Sequence, residues 1–211
     1  MLKTIGAIGD IHNEHVALQR VLEFLAGNVD AVLSVGDIVD GPGDANVCCE
    51  LLRNHGAFVV GGNHERWLLA DEMRVLSHAD NKMHLQAEHV SWLKQLPKTL
   101  EFDTIDGKLM LCHGLGPNDM AMLRPEDSGY AIESNTALEK ILYESNVRYV
   151  INGHTHQRMV RKIDEITFVN AGTLARFQFP CFCILDLSAR QVQFFDLTND
   201  NIIAHAPTEL P

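Results

Sequence analysis

The chain lacks any run of about 18 uncharged apolar residues, the length a membrane-spanning helix needs, although 46% of its 211 residues are hydrophobic. It also lacks a basic surplus, with 17 Lys and Arg against 28 Asp and Glu and a formal net charge of -11. That balance argues against a nucleic-acid-coating surface, which needs clustered Lys and Arg, so stable nucleic-acid binding is not expected. An anionic substrate remains compatible with it, because a local pair of divalent cations can hold an anion inside an acidic protein. The cysteines, Cys48, Cys49, Cys112, Cys181 and Cys183, are odd in number and lack the ligand spacing of a zinc knuckle; they read as reduced core thiols rather than metal or redox groups. With no linker, low-complexity tract or solenoid repeat, residues 1–211 read as one domain. The chain meets Asp10 before a secretory apolar segment could form, and a cytoplasmic location is expected.

What is present is a repeated rhythm of apolar run, Gly with polar residues, then helix. Strands are expected at Thr4–Ile8, Ala31–Val35 and Ala57–Val60. Helices are expected over His15–Ala26, where Val16, Leu18, Val21, Leu22 and Leu25 recur near helical spacing, and over Ala45–Asn54 with Asp44 as N-cap. Strand–helix–strand units of this length imply parallel pairing with right-handed crossovers. Residues Arg66–Leu96 read as a helical cap or side layer stopped by Pro97, with Trp67 and Trp92 anchoring it to the core. The second half turns to β: Thr99–Thr104, a turn at Ile105–Lys108, Leu109–Cys112, Arg148–Ile151, and strands near 158–163, 166–169, 181–187 and 191–197. A long loop, Gly114–Gly129, has the length of a functional segment, and a helix is expected over Asn135–Glu144.

Every cluster of metal-type side chains follows a predicted strand, the place where open α/β sheets bind ligands. Asp10 and His12, and likewise His154 and His156, are two apart in extended segments and share a side, so each pair can grip one ion or two neighbouring ones. Asp37 ends the second strand and has two oxygens able to bridge a pair of ions. Asn63 adds an amide oxygen and His113 another imidazole. Gly9, Gly36, Gly62 and Gly153 precede these residues, where a backbone without Cβ can turn sharply and crowd a metal site. Singly, Gly-Asp or Asp-x-His is ordinary turn chemistry. Five such signals in order at strand ends are not.

In that order, Asp10-Ile11-His12, Gly36-Asp37-Ile38-Val39-Asp40, Gly62-Asn63-His64-Glu65, His113 and Gly153-His154-Thr155-His156 resemble the motifs of the calcineurin-like metallophosphoesterases, nearest to the small bacterial and archaeal phosphodiesterase-type members. Asn170-Ala171-Gly172-Thr173 looks like a divergent form of a further turn motif found in many small members. The resemblance implies a four-layer α/β/β/α sandwich of two mixed sheets with a dinuclear metal site at the strand ends. It implies one ion held by Asp10, His12, Asp37 and His156 and another by Asp37, Asn63, His113 and His154, with Asp37 bridging. Mixed N and O donors suit Mn²⁺, Fe, Zn²⁺, Co²⁺ or Ni²⁺ better than Ca²⁺, and Mn²⁺ is the family's usual activator in vitro. A hydroxide bridging the ions would attack phosphorus in line. His64 would assist the leaving oxygen, and Asp40 would orient its imidazole.

Two positions depart from the phosphoprotein phosphatases of the superfamily, which carry arginines where this chain has Gly41 and Gly61. Without those bidentate phosphate clamps, a phosphodiesterase or phosphomonoesterase acting on a small ester is the expected function. Arg66, Arg124 and Arg176 are candidate substitute clamps, although surface arginines are commonplace. A catalytically weak interaction scaffold of the same fold is the alternative from another class. A metallo-β-lactamase-type hydrolase would need a His-x-His-x-Asp-His cluster, which the chain lacks.

Overall fold

The computed structural model describes residues 1–211 and contains two mixed sheets, each covered by helices on its outer face. In chain order the first sheet gains β1 (Thr4–Ile8), β2 (Ala31–Ser34) and β3 (Phe58–Val59), connected by α1 (His15–Leu25) and α2 (Ala45–Asn54). The chain continues through α3 (Asn63–Ala70) and α4 (Ala87–Leu93) into the second sheet, formed by β4 (Thr99–Thr104), β5 (Gly107–Cys112), β6 (Tyr149–Asn152), β7 (Met159–Ile163) and β8 (Ile166–Asn170). Helices α5 (Tyr130–Glu133) and α6 (Thr136–Glu144) lie between β5 and β6 in sequence. The chain then returns to the first sheet as β9 (Cys181–Asp186), β10 (Gln191–Leu197), β11 (Ile202–Ala204) and β12 (Thr208–Glu209).

The first sheet has the order β11-β10-β9-β1-β2-β3, with β12 also on β10; the second is β4-β5-β6-β8-β7. Strands β1, β2 and β3 run parallel, as do β5, β6 and β8, while β9 pairs antiparallel with β1. Alternation along each strand assigns its two faces to different cores. From β1, Ile5 and Ala7 point between the sheets while Ile8 packs toward α1 and α2. Likewise Leu109 and Leu111 of β5 face inward, and Met110 and Cys112 face α6. Three successive cores therefore separate four layers, α/β/β/α.

The expected helix boundaries hold closely at α1 and α2, where the Asp44 carboxylate accepts from the amides of Asn46 and Val47. The helical layer expected over Arg66–Leu96 is interrupted. Asp71 takes φ 58° and ends α3, Met73 and His78 also have positive φ, and only a 3₁₀ turn at Lys82–His84 intervenes before α4. Left-handed backbone cannot continue a right-handed helix. Of the two tryptophans, Trp92 packs on the core beneath the first sheet's helices. No helix of the chain is long and apolar enough to cross a membrane.

Candidate metal centre

Parallel pairing brings the C-terminal ends of β1, β2 and β3 together, and the same holds for β5 and β6 in the facing sheet. The segment after β1 carries Asp10 and His12, that after β2 carries Asp37 and Asp40, and Asn63 opens α3 just beyond β3. His113 follows β5, and His154 and His156 follow β6. The site thus draws five of these side chains from the first sheet and three from the second. His12, Asp37, Asp40, His154 and His156 all have φ between 46° and 66°. Such a conformation costs a non-glycine residue about 1–2 kcal/mol, and its concentration here marks a built site. Gly62 and Gly153 serve the same crowding: a Cβ on Gly62 would lie 2.2 Å from Asp37 Oδ1, and one on Gly153 would lie 2.8 Å from Asp10 Oδ2.

Two groups of donors form. Ligand atoms of Asp10, His12, Asp37 and His156 lie within 4.8 Å of one another, and so do those of Asp37, His113 and His154, with Asp37 common to both. Asn63 Oδ1 joins the second group, 2.9 Å from His113 Nε2. Surrounding acceptors fix the rings. His12 Nδ1 faces the Asp40 carbonyl at 3.1 Å, and His113 Nδ1 faces the Val35 carbonyl at 2.9 Å, so both Nε2 atoms turn toward the centre. His156 Nδ1 contacts Gln178 Oε1.

This arrangement tests whether cations fit. With Nδ1–H donated to an oxygen, neutral His12 and His156 each present a bare Nε2 lone pair, and these two atoms face each other at 3.2 Å beside the carboxylates of Asp10 and Asp37. Converging lone pairs and anions repel unless protons or cations lie between them. The donor set, imidazole nitrogens with carboxylate and amide oxygens, is that of a first-row divalent ion. The residues fit two such ions.

Without metal, protons take up part of that role. Burial favours the neutral form of His113, but the Asp37 carboxylate beside it outweighs burial and raises its pKa to about 10. Asp37, buried as it is, is held well below the usual carboxylate range by His113. His12 and His154 are lowered, first by burial.

Beside the clusters, His64 Nδ1 contacts Asp40 Oδ2 at 2.8 Å, and its Nε2 lies 3.9 Å from Asp37 Oδ2. The ring therefore presents one nitrogen to Asp40 and the other to the donors. Burial opposes the charged imidazole, yet the bond to Asp40 and the negative charges of Asp37, Asp40 and Glu65 together prevail and its pKa is raised. Trp67 packs edge-on against the His64 ring, with 4.8 Å between centroids.

The three candidate arginines are not brought into the clusters. Arg66 makes a two-point bond to Asp119, and Arg176 makes one to Glu14. Arg124 turns its guanidinium toward Met122 Sδ. The arginine that does reach the site is Arg74, bound to Asp40 through two nitrogens. It lies in the stretch where hydrophobic periodicity fails, so no pattern pointed to it. Glu65 also has a structural part beyond its place in a motif: its buried carboxylate accepts from the amides of Asp37, Ile38, Val39 and Gly62. Its acidity reflects burial first, then Asp37, which together raise its pKa to about 7.

Two facing mixed sheets with Asp, Asn and His donors gathered at their strand ends define the architecture of a metallophosphoesterase. The chain belongs to the calcineurin-like phosphoesterase superfamily, whose domain model matches residues 4–190. It is 28% identical over 121 residues to the uncharacterized protein MJ0912 of Methanocaldococcus jannaschii, a match covering 54% of this chain and 49% of that protein. The chain thus spans about half the length of that relative. A metallophosphoesterase from Sphaerobacter thermophilus has a similar fold, with TM-score 0.70 and 23% identity over 94% of this chain and 89% of that one. Vps29 of Entamoeba histolytica, solved with zinc, is similar at TM-score 0.57 and 17% identity over 99% of both chains.

Proposed function

We propose that this chain is a single-domain, metal-dependent phosphoesterase that hydrolyses small phosphodiesters in preference to phosphomonoesters. The observation that carries the reading is the Asp40–His64 pair, whose outer imidazole nitrogen faces the shared carboxylate of the donor clusters. A site serving only to hold ions has no use for a proton donor placed there.

Asp10, His12, Asp37 and His156 would hold one cation, and Asp37, Asn63, His113 and His154 the other, with Asp37 between them. Two such cations, Mn²⁺ in the first instance and Fe, Zn²⁺, Co²⁺ or Ni²⁺ as substitutes, supply Lewis acidity that makes water a nucleophile near neutral pH and offsets phosphoryl charge. The protein groups supply geometry and a proton. Asp40 accepts the Nδ1–H of His64, and its charge favours the imidazolium, the form that carries a second proton at Nε2 to give to the departing oxygen. The bond to Asp40 and the nearby carboxylate charges raise the His64 pKa, which favours the protonated ring.

Preference for a diester follows from charge. A diester carries one negative charge on its phosphoryl oxygens and a monoester close to two. The motif arginines that would clamp the second charge are Gly41 and Gly61 here, and Arg66 and Arg176 are neutralised by Asp119 and Glu14. Five free, buried cysteines agree with a reducing compartment, the cytoplasm.

The test is hydrolysis of bis-p-nitrophenyl phosphate beside p-nitrophenyl phosphate by metal-stripped protein reconstituted with Mn²⁺. The diester is expected to be cleaved faster. His64→Ala is expected to lower the rate on a diester with a more basic leaving group by about 10²–10⁴-fold without changing metal content. An unchanged rate in that variant sinks the acid role. Protein that binds two ions yet cleaves neither ester would point to an interaction scaffold built on the same fold.

A further inference from the structure

We propose that Arg74, in the irregular segment between α3 and the Lys82–His84 turn, is a positioning residue for the Asp40–His64 pair and so governs how well the site expels basic leaving groups. This rests on the reading of His64 as the leaving-group donor. Asp40 is buried and its carboxylate receives four donors: His64 at 2.8 Å, two Arg74 nitrogens at 2.8 and 2.9 Å, and the Asp80 amide at 2.7 Å. Three of the four come from residues 74–80. The arrangement is reciprocal, since the Asp80 carboxylate accepts from the Asp40 amide at 2.7 Å and from Asn13 Nδ2 at 2.8 Å.

Arg74 organises this segment as well as binding Asp40. Its Nε donates to the Glu72 carbonyl at 2.6 Å, and the nitrogen that binds Asp40 Oδ1 also donates to the Asp80 carbonyl at 2.9 Å. The guanidinium plane thus sets both the segment's path and the plane of the Asp40 carboxylate, with each oxygen of Asp40 engaged by a different nitrogen. His64 takes the remaining direction of Oδ2. A point charge would leave the carboxylate free to rotate about its Cβ–Cγ bond; a two-pronged donor does not. Arg74 touches no donor of the metal clusters, so it acts on the reaction only through Asp40.

The experiment compares kcat for methyl phenyl phosphate, which must expel a basic phenolate, with that for methyl 2,4-dinitrophenyl phosphate, which expels a weakly basic one. Arg74→Ala in the Zn²⁺-loaded protein is expected to lower kcat on the phenyl ester about 10- to 100-fold, and about threefold or less on the dinitrophenyl ester, with Arg74→Lys recovering only part. In a His64→Ala background, Arg74→Ala is expected to have no further effect on the phenyl ester. Equal losses on both esters, additive losses in the double variant, or no loss would each overturn the proposal. Should the wild type cleave neither ester, the hydrolase reading fails by itself. The His64 Nδ1–H resonance of the Zn²⁺ protein then decides the positioning claim: its loss in Arg74→Ala supports the role, and an unchanged signal refutes it.

Discussion

His113 carries two incompatible demands. In the metal-free protein it is protonated at neutral pH, because Asp37 overcomes burial and raises its pKa to about 10. Both nitrogens can then donate, Nδ1 to the Val35 carbonyl and Nε2 to Asn63 Oδ1, each at 2.9 Å. A metal ligand must instead offer a lone pair at Nε2. The metal-free form therefore binds the extra proton, so metal uptake at pH 7 should release about one proton, and affinity should rise with pH through the neutral range toward 10. Calorimetric titrations with Zn²⁺ in two buffers of different ionisation enthalpy measure that release directly. A buffer-independent heat would remove His113 from the ligand set.

At the scale of elements, the loop after β2 and the start of α3 are joined by one carboxylate. Glu65 accepts four backbone amides, three from Asp37–Val39 and one from Gly62. Glu65→Ala leaves all four of these buried amides without their acceptor, and an unsatisfied buried donor costs about 1–3 kcal/mol. Allowing for water entering the gap, a loss of about 3 kcal/mol or more in urea unfolding is expected; a loss below about 1 kcal/mol would mean that the loop holds itself. Strand and helix positions were legible in the sequence where period and punctuation agree, as at β1, α1, β2 and the Asp44-capped α2. The donor residues were legible because each lies at the end of such a strand. Residues 71–81 were not, since Arg74 and Asp80 tie them by side-chain bonds that leave no hydrophobic period. The C-terminal β11 and β12 were missed because three and two residues are too short to show alternation.

For the whole molecule, the two donor groups span the seam between the sheets: Asp10, His12, Asp37 and Asn63 come from the first, His113, His154 and His156 from the second. Bound cations would stitch across the interior formed by Ile5, Leu33, Leu111 and Ile151. Free metal at a hundred times its dissociation constant stabilises the native state by about 2.7 kcal/mol. For a domain of this size that corresponds to a rise in Tm of about 5–10 °C. A thermal scan with and without EDTA checks it, and coincident transitions would mean that the ions do not bridge the sheets. The same geometry constrains how the protein is made. β1 leaves the ribosome well before its antiparallel neighbour β9, with Thr4 opposite Asp186. Until β9 has been synthesised, one edge of β1 stays unpaired, a row of free amides and carbonyls that strands of other chains could join.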